Sequence, residues 1–275
     1  MKRLFLSIAL AVVSLAHPQR GPERNAPIFT VLNAASGEEA FARGSLVTIE
    51  SEAVRFADGE YIPLDYSRWP LELGGVLVSF DGQGAPLRFV SPNRLLCQVP
   101  FDDAMPGRRI ATHSRIRLTI ETPRGEWHQR VRIAKEAPAL YFTKTDAGLH
   151  LANGLWRQGG AFPQPITLRP MSASMGERLT EVMVVATGME QATFRQGAGT
   201  DEVSKNLPAR RSPGDWRVEV GGVSAEIRLV SSLFGYPMPG QQSVFFVLPE
   251  GAHGLVEVKI VGRDGASNAV FISVE

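Results

Sequence analysis

A run beginning Leu73-Gly74-Gly75-Val76 returns later in the chain as Val220-Gly221-Gly222-Val223. The first copy continues through Phe89-Val90-Ser91 to Gln98-Val99-Pro100. The second continues through Leu229-Val230-Ser231 to Val247-Leu248-Pro249. The two spans are of nearly equal length. Self-similarity on this scale means two copies of one supersecondary unit. It limits the fold to something built twice, and it names no chemistry.

The copies extend beyond the repeated core. Ala26-Pro27-Ile28-Phe29-Thr30 resembles Ala137-Pro138-Ala139-Leu140-Tyr141-Phe142-Thr143, and each is followed by a Gly-led apolar stretch, at Gly44 and at Gly176. The seam falls near Lys135-Glu136-Ala137-Pro138. Two domains are therefore expected, 27–136 and 137–275.

Apolar residues alternate with polar ones at the strand period. Ile116, Leu118 and Ile120 alternate with Arg115, Arg117, Thr119 and Glu121, which places one face on a core and the other in water. Pro123-Arg124-Gly125-Glu126 reads as a tight turn into a return strand with Val131 and Ile133. Val218 and Val220 repeat the device, as do Val256, Val258 and Ile260. Asp264-Gly265 predicts a hairpin turn, both residues tolerating positive φ, before the last strand with Val270, Ile272 and Val274. Short strands joined by turns rich in Gly and Pro predict all-β sandwiches. Only 32–43 suggests a turn or two of helix. The Gly- and Pro-rich stretch 148–170 and the polar stretch 195–214 read as irregular.

Lys2 and Arg3, an apolar run from Leu4 to Leu15, and small residues at Ser14 and Ala16 predict a signal peptide over 1–16. Residues 17–26 read as a flexible tail. No later segment is long and apolar enough to cross a membrane. The chain is expected to be exported, and its single cysteine, Cys97, leaves it without an internal disulfide. The formal net charge is +1, with the positive charges scattered along the sequence. That predicts no nucleic-acid partner, which would need a concentrated basic face.

The order Gly44-Ser45-Leu46-Val47-Thr48-Ile49, Leu73-Gly74-Gly75-Val76, Ala85-Pro86-Leu87-Arg88-Phe89-Val90-Ser91-Pro92, Gln98-Val99-Pro100, Glu136-Ala137-Pro138-Ala139-Leu140-Tyr141-Phe142, Ala186-Thr187-Gly188-Met189 and Val220-Gly221-Gly222-Val223-Ser224-Ala225 resembles the Solibacter-type uncharacterised C-terminal domain of acidobacterial exported proteins. That family is related to the IPT/TIG branch of immunoglobulin-like folds. The resemblance implies two tandem immunoglobulin-like (IPT/TIG-like) β-sandwich domains and a bacterial surface or secreted protein. It carries no catalytic residues with it.

The residues offer little for catalysis. Ser224 and Ser267 lack the glycine-flanked nucleophile elbow. His17, His113, His128, His150 and His253 show no metal-ligand spacing. Gly82-Gln83-Gly84 is too short for a phosphate loop. Asp102-Asp103 reads as a solvated loop with a weaker reading as a calcium site. Cys97, in the apolar run Leu95-Leu96-Cys97, reads as a small core residue. No enzyme activity, cofactor or metal is expected.

Aromatic residues are the candidates for contact with a partner. The run Leu233-Phe234-Gly235-Tyr236-Pro237 either serves recognition or plugs an open end of a sandwich. Trp69 and Trp156, with Phe234 and Tyr236, are the possible ligand or partner contacts; for each tryptophan the alternative is ordinary packing. The expected function is a non-enzymatic interaction or structural module that adheres to a protein or a surface. The alternative is a carbohydrate- or ligand-binding sandwich using these aromatic residues. The expected partner is an unidentified protein or surface polysaccharide.

Overall fold

The computed structural model describes residues 28–65, 69–100, 115–189, 216–231 and 240–275. The expected signal peptide and tail, Asp102-Asp103, the polar stretch 195–214, Phe234 and Tyr236 lie outside these residues. Among the described residues every regular element is a strand, and no helix is long and apolar enough to cross a membrane.

The first half contains β1 (Thr30–Asn33), β2 (Leu46–Glu50), β3 (Glu72–Leu73), β4 (Val76–Phe80), β5 (Gln83–Gly84), β6 (Leu87–Val90), β7 (Arg94–Gln98), β8 (Arg115–Thr122) and β9 (Gly125–Arg132). They form two antiparallel sheets. One has the order β1-β2-β7-β6, the other β3-β4-β8-β9 with β5 beside β4. One buried cluster draws on both, including Val47, Ile49, Val78, Leu95, Leu118 and Ile120.

The second half contains β10 (Ala139–Leu140), β11 (Phe142–Lys144), β12 (His150–Ala152), β13 (Gly154–Gln158), β14 (Gln164–Pro165), β15 (Thr180–Thr187), β16 (Arg217–Val220), β17 (Val223–Ala225), β18 (Ile227–Ser231), β19 (Gln242–Val247), β20 (Gly254–Val261) and β21 (Val270–Val274). Its sheets have the orders β14-β13-β15-β19-β18, with β10 on β15, and β11-β12-β21-β20-β16-β17. Pairing is antiparallel except between β12 and β21. A second buried cluster lies here, with Val184, Val218, Val244, Phe246, Val258 and Ile272.

The repeated Gly-Gly is a hairpin turn in both copies. Gly74 and Gly75 have φ of 62° and 76°, Gly221 and Gly222 of 58° and 81°. Two successive positive φ angles match the right-handed twist of the flanking strands and favour glycine. Leu73 pairs with Val76 across the first turn and Val220 with Val223 across the second. A register shift recurs as well, between Leu87 and Phe89 and between Ile227 and Leu229. The near-equal spans conceal two compensating changes. Copy one inserts β5 between its turn and β6. Copy two lengthens the next connection: Val90 pairs with Leu95, but Val230 pairs with Val244. The arm facing inward also differs, since β4 pairs with β8 whereas β16 pairs with β20.

Several expectations are corrected. The stretch 32–43 holds no helix: Asn33 donates from Nδ2 to the Ala40 carbonyl and accepts the Ala35 N–H on Oδ1. Its side chain thus takes backbone groups that a helix would need. The stretch 148–170 is not irregular but contributes β12, β13 and β14. Gly154 lets β13 approach so closely that a Cβ there would lie 1.9 Å from the Met183 carbonyl oxygen. Neither Asp264 nor Gly265 has a positive φ; the turn is closed by the Gly262 N–H donating to the Gly265 carbonyl.

Cys97 lies on β7 inside the first cluster. Burial pushes its thiol well above the usual range. Thiolate is the reactive form, so a water-soluble disulfide reagent should leave native Cys97 unlabelled and label it on unfolding. Labelling of the native protein at the unfolded rate would contradict the burial. Burial of the neutral thiol also couples folding to pH. Because the folded pKa is raised, this contribution is whole below about pH 8.5 and declines as pH rises beyond it.

Candidate functional site

Two of the four aromatic candidates, Trp69 and Trp156, lie among the described residues. Trp69 is fully buried, so its indole has no free face for a ligand; the expectation of contact there is corrected. Phe234 and Tyr236 lie outside the described residues. Trp156, on β13, is half-buried and packs on the second cluster. It also lines a cleft of about 450 Å³ on the outer side of the sheet.

Register builds that cleft. Leu155 pairs with Met183, Met183 with Phe245, and Phe245 with Leu229. Paired residues point to the same face of a sheet, so four apolar side chains form one row across β13, β15, β19 and β18. Ion pairs border the row. Arg157 meets Glu181 at 2.5 Å and Arg228 meets Glu226 at 3.1 Å. These pairs are substantially exposed and contribute little to stability, roughly 0–1 kcal/mol each. Pro163 closes one side, and the preceding Phe162 is 92% exposed. An apolar centre with a charged rim is the anatomy of a protein interface. The row was missed in the sequence because its members lie far apart in the chain and meet only through pairing.

The nearest approach to a catalytic constellation is on the other half. Thr119 Oγ1 lies 3.1 Å from His128 Nδ1, and His128 Nε2 lies 3.5 Å from Glu126. A hydroxyl, an imidazole and a carboxylate are the parts of a triad. The geometry serves one poorly. The imidazole–carboxylate separation exceeds a good hydrogen bond. The histidine and glutamate side chains are 50% and 54% exposed. Thr119 sits mid-strand, between β4 and β9, where the ladder engages the backbone N–H groups that an oxyanion would need.

Four other residues singled out in the sequence make structural contacts. Ser267 Oγ accepts from the Ile260 N–H and donates to the Asn268 carbonyl. His150 stacks on Phe142 with ring centroids 3.9 Å apart. Trp127 and Trp216 pack on the first and second clusters. Among the described residues no three His, Cys, Asp or Glu side chains converge as metal ligands.

No family model and no curated protein matches the chain. Among solved structures it is similar to invasin, a bacterial integrin-binding protein, at 11% identity and a TM-score of 0.22. The match covers 90% of this chain and 38% of that one. At that level of similarity neither architecture nor activity passes between them.

Proposed function

We propose that this chain is a non-enzymatic interaction module made of two tandem immunoglobulin-like sandwiches, 27–136 and 137–275. It is exported through residues 1–16 and acts at the bacterial cell surface or in the secretome by adhering to a protein partner. Two buried clusters, each fed by two sheets, support the division into sandwiches. The binding assignment is carried by the row Leu155-Met183-Phe245-Leu229, an apolar strip lining a cleft on a sheet face, with Met183 buried at its centre and the other three half-buried. The aromatic sugar-stacking alternative retains only Trp156 among the described residues.

The test places a photo-crosslinking amino acid at Leu229 in the producing cell. One discrete adduct is expected, and Leu155→Glu should abolish it by charging the strip. Leu255→Glu, at an exposed position on β20, should leave it intact. No adduct, or one indifferent to Leu155→Glu, would overturn the assignment. The export half predicts that the released protein begins at His17 on N-terminal sequencing.

A further inference from the structure

We propose that the outward face of β4, β8 and β9 binds an acidic polysaccharide through four arginines that the hairpin register gathers. In the sequence they are two separate pairs, Arg115 with Arg117 and Arg130 with Arg132. In the fold Arg115 stands opposite Arg132 and Arg117 opposite Arg130. All four are exposed. Strand rise and spacing set their stems at the corners of a rectangle of about 7 by 5 Å. Among the described residues none of the four side chains enters an ion pair. The adjacent Asp81 turns Oδ1 to the backbone N–H of Arg117, at 2.8 Å. Like charges directly opposed across strands weaken a sheet, so this arrangement does nothing for the fold on its own. A ligand with repeated anionic groups turns the repulsion into attraction, and guanidinium forks fit carboxylate and sulfate oxygens.

The surroundings choose among polyanions. The face forms a shallow trough of about 630 Å³ in which Ser79, Thr119 and His128 lie beside Arg115, Arg117 and Arg130. Hydroxyls and an imidazole suit the hydroxyls of a sugar chain. Among the described residues no Phe, Tyr or Trp lines the trough; the nearby Trp127 packs on the core. Nucleic-acid bases therefore find no stacking platform. Past the histidine, Glu121 stands opposite Glu126. That pair repels an unbroken track of phosphates or a uniformly anionic lipid plane. An acidic glycan, with neutral hydroxyls between its charges, is compatible with both ends. This face is separate from the apolar strip, and the inference does not depend on it.

The test is retention and titration of the full chain on dextran sulfate and on polygalacturonate, with neutral dextran and single-stranded DNA as comparators. Binding to at least one acidic glycan is expected; which one retains the protein distinguishes sulfate from carboxylate recognition. Arg117→Gln/Arg130→Gln should weaken binding at least tenfold with thermal stability unchanged or raised, since an opposed pair is relieved. Arg117→Lys/Arg130→Lys should lose less, keeping charge without the fork. Arg55→Gln/Arg94→Gln, which removes equal charge elsewhere, should bind like the parent. Equal retention on neutral dextran, tighter binding to DNA, or an equal loss in the Arg55/Arg94 variant would overturn the proposal.

Discussion

Replacing Trp69 by alanine should destabilise the protein by about 3–5 kcal/mol, the range for truncating a fully buried large aromatic side chain. Trp69 is among the largest side chains with no exposure. Its loss leaves a cavity that the neighbouring strands can only partly close. Trp69→Phe should cost clearly less, because most of the volume remains. Denaturant unfolding followed by circular dichroism measures both. A Trp69→Ala protein as stable as the parent, but deficient in binding, would return this residue to the surface role expected from its loop position.

Gly188→Ala should be nearly as severe, at roughly 3 kcal/mol or more. Gly188 has a φ of +76°, and a left-handed conformation costs an L-residue about 1–2 kcal/mol. The larger obstacle is steric. A Cβ here would lie 2.0 Å from the Ala137 carbonyl oxygen and 2.8 Å from Ser45 Oγ. Backbone must move, and the Ala137 N–H donates to the Gly188 carbonyl across the same gap. Gly222 supplies the comparison: its φ is +81° and nothing lies within 4 Å of its would-be Cβ. Gly222→Ala should therefore cost only the conformational part. If thermal or denaturant unfolding finds the two substitutions equal, the close approach at Gly188 is wrong.

Gly188 also shows why some of the fold is legible in the chain and some is not. Its setting Ala186-Thr187-Gly188-Met189 stands out in the sequence, yet the reason for glycine is a contact with residue 137, far away in the chain. Local requirements read well. The two Gly-Gly turns need positive φ twice in succession, and the β8–β9 hairpin announces itself by alternation and a Pro-led turn. Features that depend on what packs opposite read poorly. The stretch 148–170 looks irregular in part because Gly154, a poor strand former, sits where the close approach to Met183 leaves no room for a Cβ. The central strand β2 does not alternate in burial: Val47 and Ile49 face the core, while Leu46, on its other side, would be 2.6 Å from a Cβ at Gly240.

The candidate sites follow the same division. Scattered arginines became a concentrated face because register, which is invisible in composition, set Arg117 against Arg130. The apolar row Leu155-Met183-Phe245-Leu229 likewise exists only after pairing. Trp69 was misplaced for the opposite reason: its neighbours Tyr66, Ser67, Arg68 and Pro70 read as a loop, and nothing in a loop sequence reveals that one side chain turns inward.

One hydroxyl has consequences for how such a chain can be inherited. Thr187 Oγ1 accepts the Leu46 N–H at 3.1 Å and donates to the Gly240 carbonyl at 2.6 Å. Both partners come from distant parts of the chain, and the threonine is fully buried. Joining the first half to an unrelated neighbour would leave Thr187 and Gly240 paired with each other, but the Leu46 amide would lose its acceptor. The repeated motifs look like beads on a string, but the Leu46 amide depends on the hydroxyl at residue 187, so loss of that hydroxyl in one half is felt in the other.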